Sequence, residues 1–221
     1  VKQLLGRTYD IQRPNVIAIY LDGSPRHGIG PQDVALAIEK AVFSNGFVKN
    51  CVMEFIGPGI SNLSQDFRNG IDVMTTETTC LTTIWRTDEI TKQFLSLHGR
   101  GHDYKELNPG SIAYYDGLVK VDLNKVECMI AIPFHPSNVY TIKELNEGGK
   151  ELLAHIEHEA VEQLDNKNLS LLLPEKYFDG KVHVDQGIIV GCSGGLYENI
   201  VTAANIVGGK SVGNDRFAFS V

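Results

Sequence analysis

The 221-residue chain has no pair of cysteines spaced Cys-x-x-Cys; its four cysteines stand far apart at 51, 80, 128 and 192. That irregular scatter excludes a secreted disulfide framework and reads as reduced thiols. No apolar run approaches the ~20 residues that cross a bilayer, and no basic segment followed by an apolar one marks a secretory signal. Cytoplasm is therefore the expected compartment. Cationic residues are in the minority, 20 Lys and Arg against 27 Asp and Glu, for a formal charge of -7. Without a basic stripe, nucleic acid is an unlikely partner. Internal repeats and low-complexity tracts are missing too. What is present is 43% apolar composition, enough for one large or two small globular cores.

The chain alternates strand and helix signals. Residues 16–21 form a continuous apolar run stopped by Asp22-Gly23, as in a strand buried on both faces. Pro31 opens a helix with Val34, Ile38, Ala41 and Val42 on one face, ending near Gly46. Residues 51–56 read as the next strand, stopped by Gly57-Pro-Gly59, with Ser61 or Asn62 capping a following helix. Residues 71–85 leave helix and strand both open, because β-branched residues dominate without a clear period. Thr87 caps a helix over 88–98, with Phe94 and Leu95 facing inward, and a polar loop covers 99–110. Residues 112–123 are strand-like, although Asp116-Gly117 signals a hairpin. A strand over 128–132 ends at Pro133, and the loop to Asn138 is the candidate boundary between two units, 1–126 and 127–221. Helices over 142–145 and 151–164 follow, then strands near 169–173 and 181–190, then a helix over 196–207. The pattern predicts an α/β fold with mostly parallel strands. The start at Val1 without methionine and the strand-like finish, Phe217-Ala-Phe-Ser-Val221, suggest an excised segment.

Most reactive-looking motifs have ordinary readings. His155 and His158 match neither zinc-protease pattern and fit a polar helix face opposite Leu152, Ile156 and Val161. Gly28-x-Gly30 lacks the third glycine of a dinucleotide loop and fits a structural turn. Glycines around Cys192 invite a cysteine-protease reading, but no nucleophile signature accompanies them. Cys51, Cys80 and Cys128 lie on apolar segments and are expected in the core. Cys192 itself follows an expected buried strand over 183–190 and opens the helix over 196–207, so its thiol should stand at a strand-to-helix turn.

The segment Val190-Gly-Cys-Ser-Gly-Gly-Leu-Tyr-Glu-Asn199 resembles the first cluster-ligand motif of the aconitase family, Gly-Ser-Cys-Thr-Asn followed by Ser-Tyr-Glu-Asp. Cys192, Ser193, Tyr197 and Glu198 match, whereas Gly194 and Asn199 depart. Thr8-Tyr-Asp-Ile, residues 16–23, Gly28-Ile-Gly-Pro-Gln-Asp-Val-Ala-Leu, Phe55-Ile-Gly-Pro-Gly, Thr78-Thr79 and Pro133-Phe-His-Pro fall in the family's order. The resemblance implies two aconitase-like α/β units, the second domain complete and the third truncated, with mostly parallel sheets flanked by helices. It implies a hydro-lyase parent that interconverts a hydroxy acid and an unsaturated acid, with Cys192 binding one corner of a 4Fe-4S cluster. In that family three thiolates hold the cluster and one iron is left open, so the resemblance implies that this chain alone holds no intact cluster and is inactive. Where the family has Asn-Met-x-x-Glu after Gly-Pro-Gly, Asn69 matches the asparagine across a gap. Asp72 is then the first candidate for the catalytic carboxylate and Glu77 the second. Asn69 and Ser193 are the substrate-binding candidates. Asn69-Gly70 as a turn, with Asp72 as a helix cap, is the competing reading. The implied partners are a small carboxylic acid and the remaining domains of the same protein. A non-catalytic, binding or regulatory parent is the alternative.

Overall fold

The computed structural model describes residues 2, 4–133, 135–211 and 217–221, so Phe134 of the Pro-Phe-His-Pro motif lies outside the described residues. Strand β1 (Val16–Asp22) is the centre of the fold, with Ile17, Ala18, Ile19 and Leu21 sealed from solvent. Helix α1 (Pro31–Val42) follows, its first turn fixed by Pro31 and by Asp33, whose carboxylate accepts the Gly30 N–H at 2.7 Å. Strand β2 (Val52–Ile56) then pairs with β1 in parallel.

Gly57-Pro-Gly59 does not lead directly into a helix capped at Ser61 or Asn62. A 3₁₀ turn, Pro58–Asn62, intervenes, and helix α2 (Gln65–Met74) takes Ser64 as its cap. The detour has a steric cause: a Cβ on Gly57 would lie 2.3 Å from the Leu21 carbonyl oxygen, so the chain crosses the end of β1 where only glycine fits. The ambiguous stretch 71–85 divides. It finishes α2, makes a 3₁₀ turn at Thr75–Thr78, and enters strand β3 (Thr82–Trp85). The threonines tolerate the helical part because their hydroxyls donate to carbonyls three residues back, Thr75 to Asp72 and Thr78 to Thr75, each at 2.6 Å.

Helix α3 (Glu89–Leu97) is capped by Asp88 rather than Thr87; the Asp88 carboxylate accepts from the N–H groups of Ile90 and Thr91. Thr87 instead ties down the following loop through Lys105 and Leu107. Strand β4 (Gly117–Asp122) pairs in parallel with β1, so Asp116-Gly117 makes no hairpin, and residues 112–116 are not strand. Asp116 accepts the Val16 N–H at 2.8 Å, and Gly117 admits Phe47 and Ile17 closer than any Cβ would allow. The sheet order is β3-β2-β1-β4, all parallel and flanked by helices. Around it lies one apolar cluster drawn from residues 17–126.

Beyond residue 126 the strands are short. β5 (Met129–Ala131) and β6 (Val139–Thr141) form an antiparallel ribbon. Helix α4 (Ile142–Gln163) joins the two expected helices into one, kinked at Gly149, whose φ of 49° lies against the Tyr177 ring. Residues 169–173 are not a strand. The N–H groups of Leu171, Leu172 and Leu173 close instead on the Glu157 carboxylate, which their hydrogen bonds hold below the usual carboxylate range.

Strands β7 (Tyr177–Phe178) and β8 (Lys181–Val182) form a second antiparallel ribbon. Next come β9 (Gln186–Ile188), the helical turn α5 (Gly191–Gly194), helix α6 (Tyr197–Val207) and β10 (Ala218–Ser220), which pairs with β9 in parallel. A second apolar cluster centres on Leu145, Leu153 and Ile156. The expected buried strand over 183–190 is short and exposed: Val184, Ile188 and Val190 are each at least 60% accessible, and among the described residues β9 pairs with β10 alone. Cys128 is likewise exposed rather than in the core, while Cys51 is buried and Cys80 half-buried. Among the described residues no helix is long and apolar enough to cross a membrane.

Candidate functional site at the Cys192 turn

Gly191, at φ 83°, turns the chain out of β9 into α5, and the Cys192 thiol at its start is exposed. The turn packs on α2 and on the beginning of α1. Its anchor is the Ser193 carbonyl oxygen, which accepts from Gln32 Nε2 at 2.6 Å and from Asn199 Nδ2 at 2.9 Å. The first turn of α6 docks beside it: Ser64 Oγ donates to Glu198 Oε2 at 2.5 Å, and the Glu198 N–H donates to Asp66 Oδ2 at 3.2 Å. Gly70 lets these elements close, since a Cβ there would stand 2.7 Å from Pro31 and 3.3 Å from Leu196.

Asn69 and Asp72 both lie inside α2, so neither the turn nor the cap reading holds. Three residues apart, they share one side of the helix. Asn69 Oδ1 accepts from Gln65 Nε2 at 3.0 Å, which leaves its own amide N–H groups available. Asp72 is turned to β3: its Oδ1 accepts from Trp85 Nε1 at 2.8 Å and from the Thr83 hydroxyl. Glu77 is exposed on the 3₁₀ turn after α2. The first-choice carboxylate is thus held by two donors, and the second stands open to solvent.

Glu39 on α1 is only 1% exposed and neither carboxylate oxygen has a hydrogen-bond partner. Burial, and then the nearby negative charge of Glu77, push its pKa up to about 7. His135 Nδ1 lies 4.0 Å from Glu39 Oε1, beyond hydrogen-bond distance, and sits 3.1 Å from the Ser137 N. His135 is stacked on Phe43 at 4.1 Å between ring centres. His155 and His158 lie on an exposed helix face, each 3.4 Å from a glutamate one turn on.

A cavity of about 750 Å³ opens between the loop after β1 and α6, with Arg26, Asn62, Phe67, Glu198 and Asn199 in its wall. The Arg26 guanidinium also donates to the Val126 carbonyl at 2.9 Å. Among the described residues no group of three or more His, Cys, Asp and Glu side chains stands together to hold a metal ion. As a ligand set, the turn offers one accessible thiol, which fits a single corner of a cluster.

Sequence reasoning missed Gln32, Asn199 and Glu39. Gln32 and Glu39 read as ordinary helix positions, and Asn199 as a simple departure from a motif. One signal was available: Val73-Met-Thr-Thr-Glu77 keeps the methionine-to-glutamate spacing of Asn-Met-x-x-Glu without any gap, with valine at the asparagine position.

The sequence profile of the aconitase family (aconitate hydratase) matches residues 1–220. Aconitase htyD of Aspergillus rugulosus is 35% identical over 144 residues, 63% of this chain and 16% of that protein. The 3-isopropylmalate dehydratase large subunit of Lachnoclostridium phytofermentans is 26% identical over 199 residues, 90% of this chain and 39% of that one. The 2,3-dimethylmalate dehydratase large subunit of Eubacterium barkeri is 27% identical over 199 residues, again 90% and 39%. The chain thus spans about two fifths or less of the length of these relatives.

Proposed function

This chain belongs to the aconitase family, and on that premise we propose that its parent protein is a hydro-lyase acting on a small hydroxy acid. In this reading Cys192 supplies one of three thiolates to a 4Fe-4S cluster, and residues 1–126 and 127–221 are the second domain and the opening of the third. Two separate apolar clusters support the division. The single observation that carries the cluster role is the exposed Cys192 thiol on a turn anchored to both α1 and α2. When bound, the cluster would supply a Lewis-acidic iron that polarises the substrate's hydroxyl and carboxylate.

The chain's own residues would bind, orient and move protons. The cavity beside α6 has a volume suited to a small acid, and Arg26 in its wall would attract a carboxylate. By the family resemblance, and from outside that cavity's wall, the Ser193 hydroxyl and the Asn69 carboxamide would orient the substrate. Of the two carboxylates, Glu77 is the better proton carrier, because it is exposed and keeps the family spacing from Met74. Asp72, held by Trp85 and Thr83, would position rather than transfer. This chain without the remaining domains would be inactive, since it lacks the other thiolates.

The test uses the full-length parent, reconstituted with iron and sulfide under anaerobic conditions. Cys192→Ser should lose the brown cluster absorbance. Glu77→Gln should keep the colour and lose at least about a hundredfold in kcat for hydration of unsaturated acids. A stoichiometric cluster in Cys192→Ser would overturn the ligand assignment, and full turnover in Glu77→Gln would overturn the proton carrier. A parent that binds the cluster yet turns over no hydroxy acid of the isopropylmalate, dimethylmalate or aconitate type would instead favour a binding or regulatory role.

A further inference from the structure

We propose that Gln32 and Asn199 are positioning residues for Cys192: two side-chain amides, one from α1 and one from α6, clamp the Ser193 carbonyl and thereby fix the thiol-bearing turn. Its catalytic meaning rests on the reading of Cys192 as a cluster ligand; the clamp itself does not. Beyond its packing on α2 and the start of α1, few contacts hold the turn. It is four residues long, with Gly191 and Cys192 exposed and nothing within 4 Å of where Cβ atoms on Gly191 or Gly194 would be. The Gly195 N–H closes it on the Gly191 carbonyl at 2.9 Å.

A carbonyl oxygen has two acceptor directions, and on Ser193 both are used, by Gln32 at 2.6 Å and Asn199 at 2.9 Å. Because the acceptor is a carbonyl, each amide must present its nitrogen, which settles how both side chains are turned. The two clamps differ in reach. Asn199 is six residues along the same segment and shapes the turn, whereas Gln32 is 161 residues away and sets its place against the first unit. The Ser64 and Asp66 contacts fall on Glu198, after the turn, and cannot replace them.

Asn199 occupies the position where the resembling motif ends in aspartate, and its geometry reverses the obvious expectation. An ionised carboxylate cannot donate to Ser193, and would set two acceptors face to face. Restoring the aspartate should therefore loosen the turn rather than repair it. Gln32→Glu makes the same change from the other side, and both substitutions conserve shape, so the chain should still fold.

The experiment is amide hydrogen exchange by mass spectrometry on the 221-residue chain, with peptide-resolved alkylation of Cys192 by iodoacetamide, both without iron. Asn199→Asp and Gln32→Glu should each speed exchange in residues 191–196 by about tenfold, the scale of one lost hydrogen bond. Alkylation of Cys192 should rise in parallel while α1 and α2 stay protected. Gln32→Lys, which keeps a donor, should remain near the wild-type rates. Unchanged exchange in both isosteric variants, an equal rise throughout α1, α2 and α6, or a Gln32→Lys protein as loose as Gln32→Glu would overturn the clamp. Loss of the ligand assignment in the parent would leave these rates untouched, so the two ideas fail separately.

Discussion

Arg68 meets Asp88 with both prongs of its guanidinium: Nη1 donates to Oδ1 at 2.9 Å and Nη2 to Oδ2 at 2.7 Å, with the Arg68 side chain 2% exposed. The same arginine donates to the Ile60 carbonyl and the Thr91 hydroxyl, so it joins α2, the 3₁₀ turn before it and the cap of α3. Burial opposes the Asp88 charge, but the Arg68 hydrogen bond and charge, with the N–H groups of Thr91 and Ile90, outweigh it and lower its pKa. Stability from Asp88 is therefore present above the ordinary carboxylate range and is lost as pH falls below it. Arg68→Met should cost about 3–5 kcal/mol, because it strands a partly buried carboxylate. Urea denaturation at neutral pH measures this, and a loss below about 1 kcal/mol would show that water reaches Asp88 instead.

Glu39 gives the opposite pH dependence. With a folded pKa of about 7 against an ordinary 4.5, the folded chain keeps a proton that the unfolded chain has already released across that interval. Stability should accordingly fall as pH rises from about 4.5 to 7, by on the order of 3 kcal/mol in all. Glu39→Gln should flatten that dependence and make the chain more stable than wild type at pH 8. Urea midpoints at pH 5 and pH 8 decide it; an unchanged slope in Glu39→Gln would assign the dependence to other groups.

Gly70 sits in the middle of α2, where alanine ordinarily gains up to about 1 kcal/mol. Here the added methyl would stand 2.7 Å from Pro31 and 3.3 Å from Leu196. Overpacking of that kind costs about 1–3 kcal/mol. Gly70→Ala should be net destabilising, and a gain in urea midpoint would mean that α1 and α2 separate without strain.

The main sheet was legible in the sequence because its signals were strong and local. The apolar run at β1, Pro31 at the start of α1 and the stop at Gly57 each carry a one-residue mechanism. Caps were misread where two candidates stood close together, Thr87 beside Asp88 and Ser61 before Ser64, and the better-placed carboxylate or hydroxyl won. Asp116-Gly117 misled because its chemistry serves a long-range contact, a carboxylate for the Val16 N–H and a missing Cβ for Phe47. Near residue 192 the strand-to-helix turn was readable from the sequence pattern, although the strand before it is short and exposed. The Gln32 clamp was not, since nothing local in residues 28–34 refers to residue 193.

The parallel pairing of β1 has a consequence for how the chain is made. Ile17 is flanked by Met53 on one side and by Gly117, one hundred residues away, on the other. During synthesis the edge of β1 that will receive β4 therefore stays bare until residue 122 has emerged, exposing Ile17, Ile19 and Leu21 to other chains. Pairings of such long separation close slowly. The Cys192 turn docks on α1 and α2, so it can settle only once those two helices are in place.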